Sequence, residues 1–411
     1  MKDVLLSEGS EPRTDAMLPF KSVRARNILS FGDTGIQINL EPINVLIGPN
    51  GAGKSNLIEL FSLLKSAPGD LAREIREGGG VQDWLWKGAT PEPTGALEAI
   101  VDGVASGRDL RFSLSFTAIR NRLQVVDERV ENEVPDVGHT KPYFYFGYEN
   151  GRPMINVGPD GDSGARGHRE LRRETIDPEQ SVLSQRKDPD LYPEITHVAE
   201  LFSRISTYRD WRLGRYTPPR LPQPVDAPND VLREDASNLG LVVNRIKSNP
   251  ATRNALDEYM SEFLPDYEYV ETLIEGGTVQ IFISEKGRLI PATRLSDGTL
   301  RWLALLAVLL NPTPPPLVCI EEPELDLHPD VIPVLGQLLR AAATRTQVVV
   351  TTHSDDLASE FSDAPTAVIV CERRAGESHF ARLEAEQLEP WLAKYRLGQL
   401  RQMGEIGGNR Y

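Results

Sequence analysis

The sequence predicts an α/β fold with a mixed or parallel sheet at its core, and three stretches carry that prediction. "INVLI" (Ile43 to Ile47) is a short apolar, β-branched run that leads into a glycine-rich turn and then into apolar residues at helical spacing. "LVCI" (Leu317 to Ile320) is a second buried run, ending in two adjacent glutamates. "VVV" (Val348 to Val350) is a third, with Thr351, Thr352 and His353 at its tip. Short buried strands separated by helical patterns are what a sheet of strand–helix–strand units requires. An N-terminal β-rich lobe and a helical insertion complete the expected architecture.

The turn after the first strand is the most specific signal. Gly48, Pro49, Asn50, Gly51, Ala52, Gly53, Lys54 and Ser55 match the phosphate-binding pattern G-x-x-x-x-G-K-[ST] in full, and Asn56 follows inside the next helix. The glycines let the backbone bend until its N–H groups face the phosphates, and the helix N-terminus adds its positive end. Lys54 is placed to reach the β- and γ-phosphates, and the Ser55 hydroxyl to take a place on Mg²⁺. Leu57, Ile58, Phe61 and Leu64 fall at helical spacing, so a helix is expected to start at the lysine. An incidental glycine-rich turn would not need strand, loop and helix in this order. The chain is expected to bind a nucleoside triphosphate.

The 411 residues can bury one large core or two modest ones. A count of 45 basic against 60 acidic residues gives a net charge of −15, which argues against a chain coated in nucleic acid but leaves room for a local basic groove. Cys319 and Cys371 are the two cysteines; they make no disulfide framework and fit a reducing cytosol. The longest apolar run, "WLALLAVLL" (302–310), is too short to cross a bilayer, and no long hydrophobic region follows the N-terminus. A cytoplasmic protein with no membrane partner is the expectation.

Along the chain, residues 1–19 read as a flexible polar tail. Residues 20–157 read as a lobe of strands around the phosphate loop. Within it "LRFSLSF" alternates, with Leu110, Phe112, Leu114 and Phe116 on one face, and "YFYFGYENGRPMINV" reads as a hairpin turning at Asn150-Gly151. Residues 158–266 read as the insertion, opening with "GPDGDSGARGHRELRRE", a loop running into a helix. Helices are expected at about 193–211, 230–248 and 250–264, the last with Asn249 as N-cap and Pro250 in its first turn. "TPPRLPQPVDAP" (217–228) reads as an extended linker. Residues 267–372 read as strands to about 290 and then the second half of the core, and 373–411 as a C-terminal tail.

The acids after the second core strand suit phosphoryl chemistry. Glu321 is expected to hold Mg²⁺, directly or through water, and Glu322 to orient and deprotonate the attacking water. His353, at the tip of the next strand, is placed to sense the γ-phosphate by hydrogen bond. "TRLSDGTLRWLALLAVLL" puts Ser296, Asp297 and Gly298 at the start of a strongly apolar helix, a second anion site. Read alone, it is an N-cap and a turn. One phosphate, however, does not need two such loops from one subunit. Two subunits arranged head to tail do, each closing its serine loop over the other's nucleotide.

The order phosphate loop, serine-glycine signature, carboxylate strand, "ELDLH" loop and switch histidine resembles the ABC-type ATPases, within them the RecF/SMC/OLD-like branch. "FKSVRARNILSFGD" leading to "NVLIGPNGAGKSNLIE" is similar to the N-terminal lobe of that branch, and "LSDGTLR" followed by "IEEPELDLHP" to its C-terminal lobe. The resemblance covers roughly 20–157 and 267–372. It implies an ABC-type head that forms a homodimer around ATP, with Ser296, Asp297 and Gly298 acting in trans and Asp326 in a loop crossing the dimer interface. It also implies catalytic roles for Glu322, His353 and Lys54, and a metal site of Ser55 and Glu321. Glu321 stands where many ABC proteins carry aspartate. The glutamine loop that usually completes the metal site is represented only by the candidates Gln82 and Gln124. There is no long coiled coil, and the stretch after His353 is too short for the Toprim nuclease domain of OLD proteins. A nuclease or toxin effector would therefore be separately encoded.

Two readings stand for "RISTYRDWRLGRYTPPR" (204–220). Arg204, Arg209, Arg212 and Arg215, interleaved with Tyr208, Trp211 and Tyr216, suit phosphate and base contact with DNA. Alternatively, a helix packs its aromatics inward while its arginines pair with the surplus acids, which the net charge favours. Arg166, Arg169, Arg172 and Arg173 form a second ambiguous cluster. The expected function is an ATP-hydrolysing dimerisation switch coupled to DNA or to an effector, by analogy in DNA maintenance or phage defence. An ATP-gated scaffold with little turnover is the alternative, and the long insertion disfavours a transporter subunit.

Overall fold

The computed structural model describes residues 18–88, 93–103, 107–157, 167–170 (backbone) and 176–408. They fall into two compact units. The N-terminal unit lies within Met17–Ile205 and also takes Ile369–Arg382 and the chain from Gly407; the C-terminal unit comprises Ser206–Val368 and Leu383–Ile406.

The N-terminal unit runs β1 (Phe20–Arg26), β2 (Ile36–Asn39), β3 (Ile43–Ile47), α1 (Lys54–Ser66), α2 (Leu71–Glu77), α3 (Val81–Trp84), then β4 (Gly95–Val101), β5 (Leu110–Ile119), β6 (Arg122–Asn132), β7 (Phe144–Glu149), β8 (Arg152–Val157), β9 (Gly167–Glu170), α4 (Val182–Gln185) and α5 (Pro193–Ser203). All of these strands but β3 form one eight-stranded antiparallel sheet, in the order β2-β1-β4-β5-β6-β7-β8-β9. The alternation read in β5 holds: Leu110, Phe112, Leu114 and Phe116 are all buried. Phe112 meets the edge of Phe202 on α5, and Phe20 stacks on the same ring. The β7–β8 hairpin turns through Asn150 and Gly151 at φ of 51° and 74°, the left-handed pair that a two-residue turn with the right twist needs.

One segment differs from the reading. Residues 167–170 are not helical but form β9, paired with β8. "GHRE" has no apolar stripe to bury as a helix, whereas the open edge of β8 offers unpaired backbone groups. Arg166, Arg172 and Arg173 lie outside the described residues, as does the tail up to residue 17.

The C-terminal unit runs β10 (Ser206–Tyr208), β11 (Gln223–Pro224), α6 (Leu239–Ser248), α7 (Pro250–Phe263), β12 (Tyr267–Glu275), β13 (Thr278–Glu285), β14 (Arg288–Pro291), α8 (Asp297–Leu309), β15 (Leu317–Glu321), α9 (Ile332–Ala343), β16 (Gln347–Thr352) and α10 (Asp355–Ser359). β10, β15 and β16 lie side by side and parallel. β11, β13 and β12 form an antiparallel sheet, with β14 on β13. Every residue of α8 from Thr299 to Leu309 is buried, as the apolar run from Trp302 onward demands. Trp302 stacks on Phe263 at 5.4 Å and donates its indole N–H to the Tyr259 carbonyl at 3.2 Å.

Three expectations in this unit are corrected. The helix expected over 193–211 stops at Ser203, and Ser206–Tyr208 is a buried strand beside β15. Its neighbour strand satisfies backbone groups that would otherwise be buried bare. The helix expected from 230 begins only at Leu239. Buried Asn238 holds the preceding loop instead, donating to the carbonyls of Pro228 (2.7 Å) and Val231 (2.9 Å) and accepting from Arg233 N (2.8 Å). The proline-rich stretch is no free spacer: Pro218–Arg220 form a 3₁₀ turn and Gln223–Pro224 pair with β13. α7 starts as read, at Pro250, with the Asn249 side chain accepting from Ala251 N at 3.0 Å.

The chain then returns to the N-terminal unit with β17 (Val368–Arg374) and β18 (Glu377–Arg382), an antiparallel pair beside β3. α11 (Ala385–Leu392) and α12 (Leu397–Met403) belong to the C-terminal unit. There α12 packs on α10, with Gly398 N donating to Ser359 Oγ at 3.1 Å. Gly407 and Gly408 rejoin the N-terminal unit. Among the described residues, no helix is long and apolar enough to cross a membrane.

Candidate nucleotide site

In the N-terminal unit, β3 delivers the chain into the glycine-rich loop and α1 takes it away. Gly51 and Gly53 sit at φ of 79° and 95°, where an L side chain is strained. A Cβ on Gly48 would run into the Cys371 carbonyl, and one on Gly53 into Ser378 Oγ, whereas the space at Gly51 is open. The loop is thus packed from behind and free at its crest. Lys54 is buried and folds over the loop, donating from Nζ to the carbonyls of Gly48 (2.8 Å) and Pro49 (3.2 Å). α1 carries no acid in its first turn, so its positive end is uncompensated there.

Asn56 points back into a support: Nδ2 donates to Ser30 Oγ at 2.6 Å, which also accepts from Ser378 Oγ at 2.7 Å. Gly408 closes the base of the loop. Its N–H donates to Glu372 Oε1 at 3.0 Å, and a Cβ there would lie 3.6 Å from Gly48 Cα. That N–H, with Arg374, holds the Glu372 carboxyl below its usual range. Burial pushes the Cys371 thiol far up, as befits an inert packing residue. Ser30, Ser378 and Gly408 left no mark in the sequence reading, because each is far along the chain from the loop it supports.

In the C-terminal unit, three parallel strands end together. Glu321 is the last residue of β15, and Glu322 follows in the left-handed region at φ 46°. Its N–H donates to the Thr351 carbonyl of β16 at 3.0 Å, so the turn is pinned to the neighbouring strand. Glu322 Oε1 lies 3.3 Å from His353 Nε2. Glu321 Oε2 accepts from Arg209 Nε, just past β10, at 3.2 Å. A third acid, Glu324, accepts from Thr352 Oγ1 (2.5 Å), His353 N (3.1 Å) and Ser354 N (3.3 Å). Its other oxygen is buried without a hydrogen bond among the described residues, and burial raises its pKa. Arg401 on α12 donates to the His353 carbonyl at 3.3 Å. Glu324 was visible only as part of the "ELDLH" motif, and Arg401 was not visible at all.

The serine loop occupies the start of α8. Ser296 is the N-cap: Oγ accepts from Thr299 N at 3.0 Å and lies 2.7 Å from Thr299 Oγ1. Ser296 and Asp297 are exposed. A Cβ on Gly298 would lie 2.6 Å from the Asp326 carbonyl, so the loop after β15 crosses directly over the helix start. Asp326 is exposed, at φ 59°, with Arg301 3.5 Å away. Buried Arg220, from the proline-rich stretch, braces the serine loop. It donates to the carbonyls of Leu213 (2.6 Å), Ala292 (3.0 Å) and Leu295 (2.6 Å) and pairs with Asp297.

The arginine stretch forms a strand and loop rather than a helix. Tyr208 and Trp211 are buried, and Arg212 pairs with Asp210 at 3.2 Å. Arg204, Arg215 and Tyr216 are exposed. Gln82 is exposed on α3 and Gln124 sits within β6 opposite Thr117. Among the described residues no three His, Cys, Asp or Glu side chains gather as a metal cage. Ser55 in the N-terminal unit and Glu321 in the C-terminal unit each present a hard oxygen donor of a kind that Mg²⁺ accepts.

Likeness to solved structures establishes the fold. An SmcHead solved with the C-winged helix domain of ScpA has a TM-score of 0.55 and 13% identity, covering 90% of this chain and 99% of that one. An Smc head domain with extended coiled coil from Pyrococcus furiosus, bound to the C-terminal domain of ScpA, has a TM-score of 0.54 and 13% identity, covering 91% and 98%. In sequence, the DNA replication and repair protein RecF of Heliobacterium modesticaldum is 28% identical over 182 residues, 44% of this chain. The match spans only 41% of that protein's length. The family model described as "AAA domain, putative AbiEii toxin, Type IV TA system" matches residues 43–359, and the chain belongs to that family, with a fold like that of the Smc heads and a partial sequence likeness to RecF.

Proposed function

We propose that this chain hydrolyses ATP and uses the nucleotide to close two copies of itself on one another. The serine loop supports the reading most. Ser296 stands exposed at the start of α8, whose positive end suits an anion, while the neighbouring Asp297 and Asp326 are matched by Arg220 and Arg301; a nucleotide held by the phosphate loop of the same copy does not require that surface. In this reading Gly48 to Ser55 hold the phosphates, with Lys54 leaving its own loop carbonyls for them, and Ser55 and Glu321 hold Mg²⁺. Bound there, Mg²⁺ would neutralise phosphate charge. Glu322 takes the proton of the attacking water, and His353, 3.3 Å from it, fixes its orientation. Ser296, Asp297 and Gly298 of one copy cover the nucleotide of the other.

The output goes to DNA or to a separately encoded effector. The RecF likeness supports the first and the family description supports the second. The deciding experiment is the solution mass of Glu322→Gln with ATP and Mg²⁺ and without nucleotide, beside Ser296→Arg. The expected result is a doubling with ATP that Ser296→Arg abolishes. A mass that never responds to bound ATP would remove the dimerisation step.

A further inference from the structure

Arg209 is the one member of the arginine stretch that reaches the strand tips. β10, β15 and β16 are in parallel register, with Tyr208 beside Ile320 and Ile320 beside Val350. The residues that follow each strand therefore emerge on one edge, where ligands of parallel sheets bind. That edge carries Arg209 on the first strand, Glu321 and Glu322 on the second and His353 on the third. Arg209 is held between two anchors. Tyr208 is buried and donates its hydroxyl to the Leu232 carbonyl at 2.8 Å. Trp211 is buried against the Tyr208 ring, with the Arg301 guanidinium 5.9 Å from its centroid. The backbone of Arg209 is thus fixed while its side chain, 36% exposed, keeps room to turn.

The charge pattern gives that side chain a role. Three carboxylates within four positions repel one another unless each is matched. Glu324 takes backbone N–H groups and a threonine hydroxyl, Glu322 faces His353, and Glu321 takes the guanidinium of Arg209. Glu321 is also the acid assigned above to the metal, and a carboxylate oxygen held by a guanidinium is not available to a cation. Resting on that assignment, we infer that Arg209 is the resident counter-ion of Glu321, exchanged for a divalent cation when nucleotide binds. The metal requirement of the site is then set by competition with Arg209, and the displaced guanidinium becomes a free cation at the phosphate edge of the sheet.

The test uses the full chain with a non-hydrolysable ATP analogue at equal saturation of each protein, and Mn²⁺ as the probe. The free Mn²⁺ giving half of the bound-metal EPR signal is compared across variants. Arg209→Gln is expected to lower it about fivefold, the upper end for a partly exposed ion pair. Arg209→Lys, which keeps the charge, is expected to stay within about twofold of the parent chain. Arg212→Gln, which removes the same charge nearby, is also expected to move it by less than about twofold, because a diffuse field of exposed charge is screened. An unchanged or higher Mn²⁺ requirement in Arg209→Gln overturns the inference. So does an equal shift in Arg212→Gln, which would make the effect one of net charge. Lys54→Ala separates this failure from failure of the nucleotide reading. If it binds the analogue as well as the parent chain does, the nucleotide assignment falls first, and the role of Arg209 with it.

Discussion

The phosphate loop and the strand-tip acids differ in where their geometry comes from. In the loop, the bend is made by residues adjacent in sequence: Gly51 and Gly53 take left-handed angles and Lys54 folds back onto the carbonyls of Gly48 and Pro49. At the tips, each acid is positioned by a partner from another strand, 112 residues away for Glu321 and Arg209 and 28 for Glu324 and Thr352. A local device can be spelled by a local motif. A device assembled by topology shows in the sequence only as acids whose partners are not named.

At the local device the expected effect is on binding itself. Lys54→Ala is expected to weaken ATP binding at least about a hundredfold, since charge-assisted bonds to phosphate are among the strongest a side chain makes. Fluorescent-nucleotide titration measures it, and retained affinity would mean that the nucleotide is held elsewhere than at this loop. At the tips, Glu322→Gln is expected to cut hydrolysis about 10²–10⁴-fold while leaving binding intact. His353→Ala should cost about tenfold, and the double variant little more than Glu322→Gln, because the two side chains act as a contacting pair. Full additivity in single-turnover rates would break the pairing and leave His353 with a separate task.

That contrast explains what could be read in advance. The β3–loop–α1 unit, the β5 alternation, the β7–β8 turn and the Asn249 cap each rest on neighbours within a few residues, and each was legible. β10 was not, because "STY" is three residues whose strand character exists only beside β15. Nor was Arg220, whose place in a proline-rich stretch suggests solvent although four acceptors bury it. Within the site, the acids and His353 were legible, whereas the pairing of Arg209 with Glu321 was not, because the two lie 112 residues apart.

The loop's dependence on packing from behind can be measured apart from nucleotide. Gly48→Ala drives a methyl into the Cys371 carbonyl and is expected to destabilise the fold by about 2–4 kcal/mol. Gly51→Ala meets no neighbour and carries only the left-handed strain, about 1 kcal/mol. Equal losses in urea unfolding would mean that backbone angle, not the β17 contact, sets the loop.

A pH-dependent effect concerns a carboxylate in the N-terminal unit built like Glu324. Glu128 on β6 is fully buried, accepts from Val182 N at 2.8 Å and from Ser181 Oγ, and so caps α4 as Glu324 caps the start of α10. Burial dominates, and its pKa is pushed up to about 7. The sign follows from proton counting. The folded chain keeps this proton to near neutrality while the unfolded chain releases it at an ordinary glutamate value, so the group's contribution is complete at acid pH and is lost as pH rises through about 7. Glu128→Gln cannot titrate. Between pH 5 and 8 the difference in unfolding free energy between parent and variant should therefore move by about 2 kcal/mol in favour of the variant. Parallel pH profiles would mean that Glu128 stays ionised on its helix start, with the Val182 N–H and Ser181 hydroxyl outweighing the cost of burial.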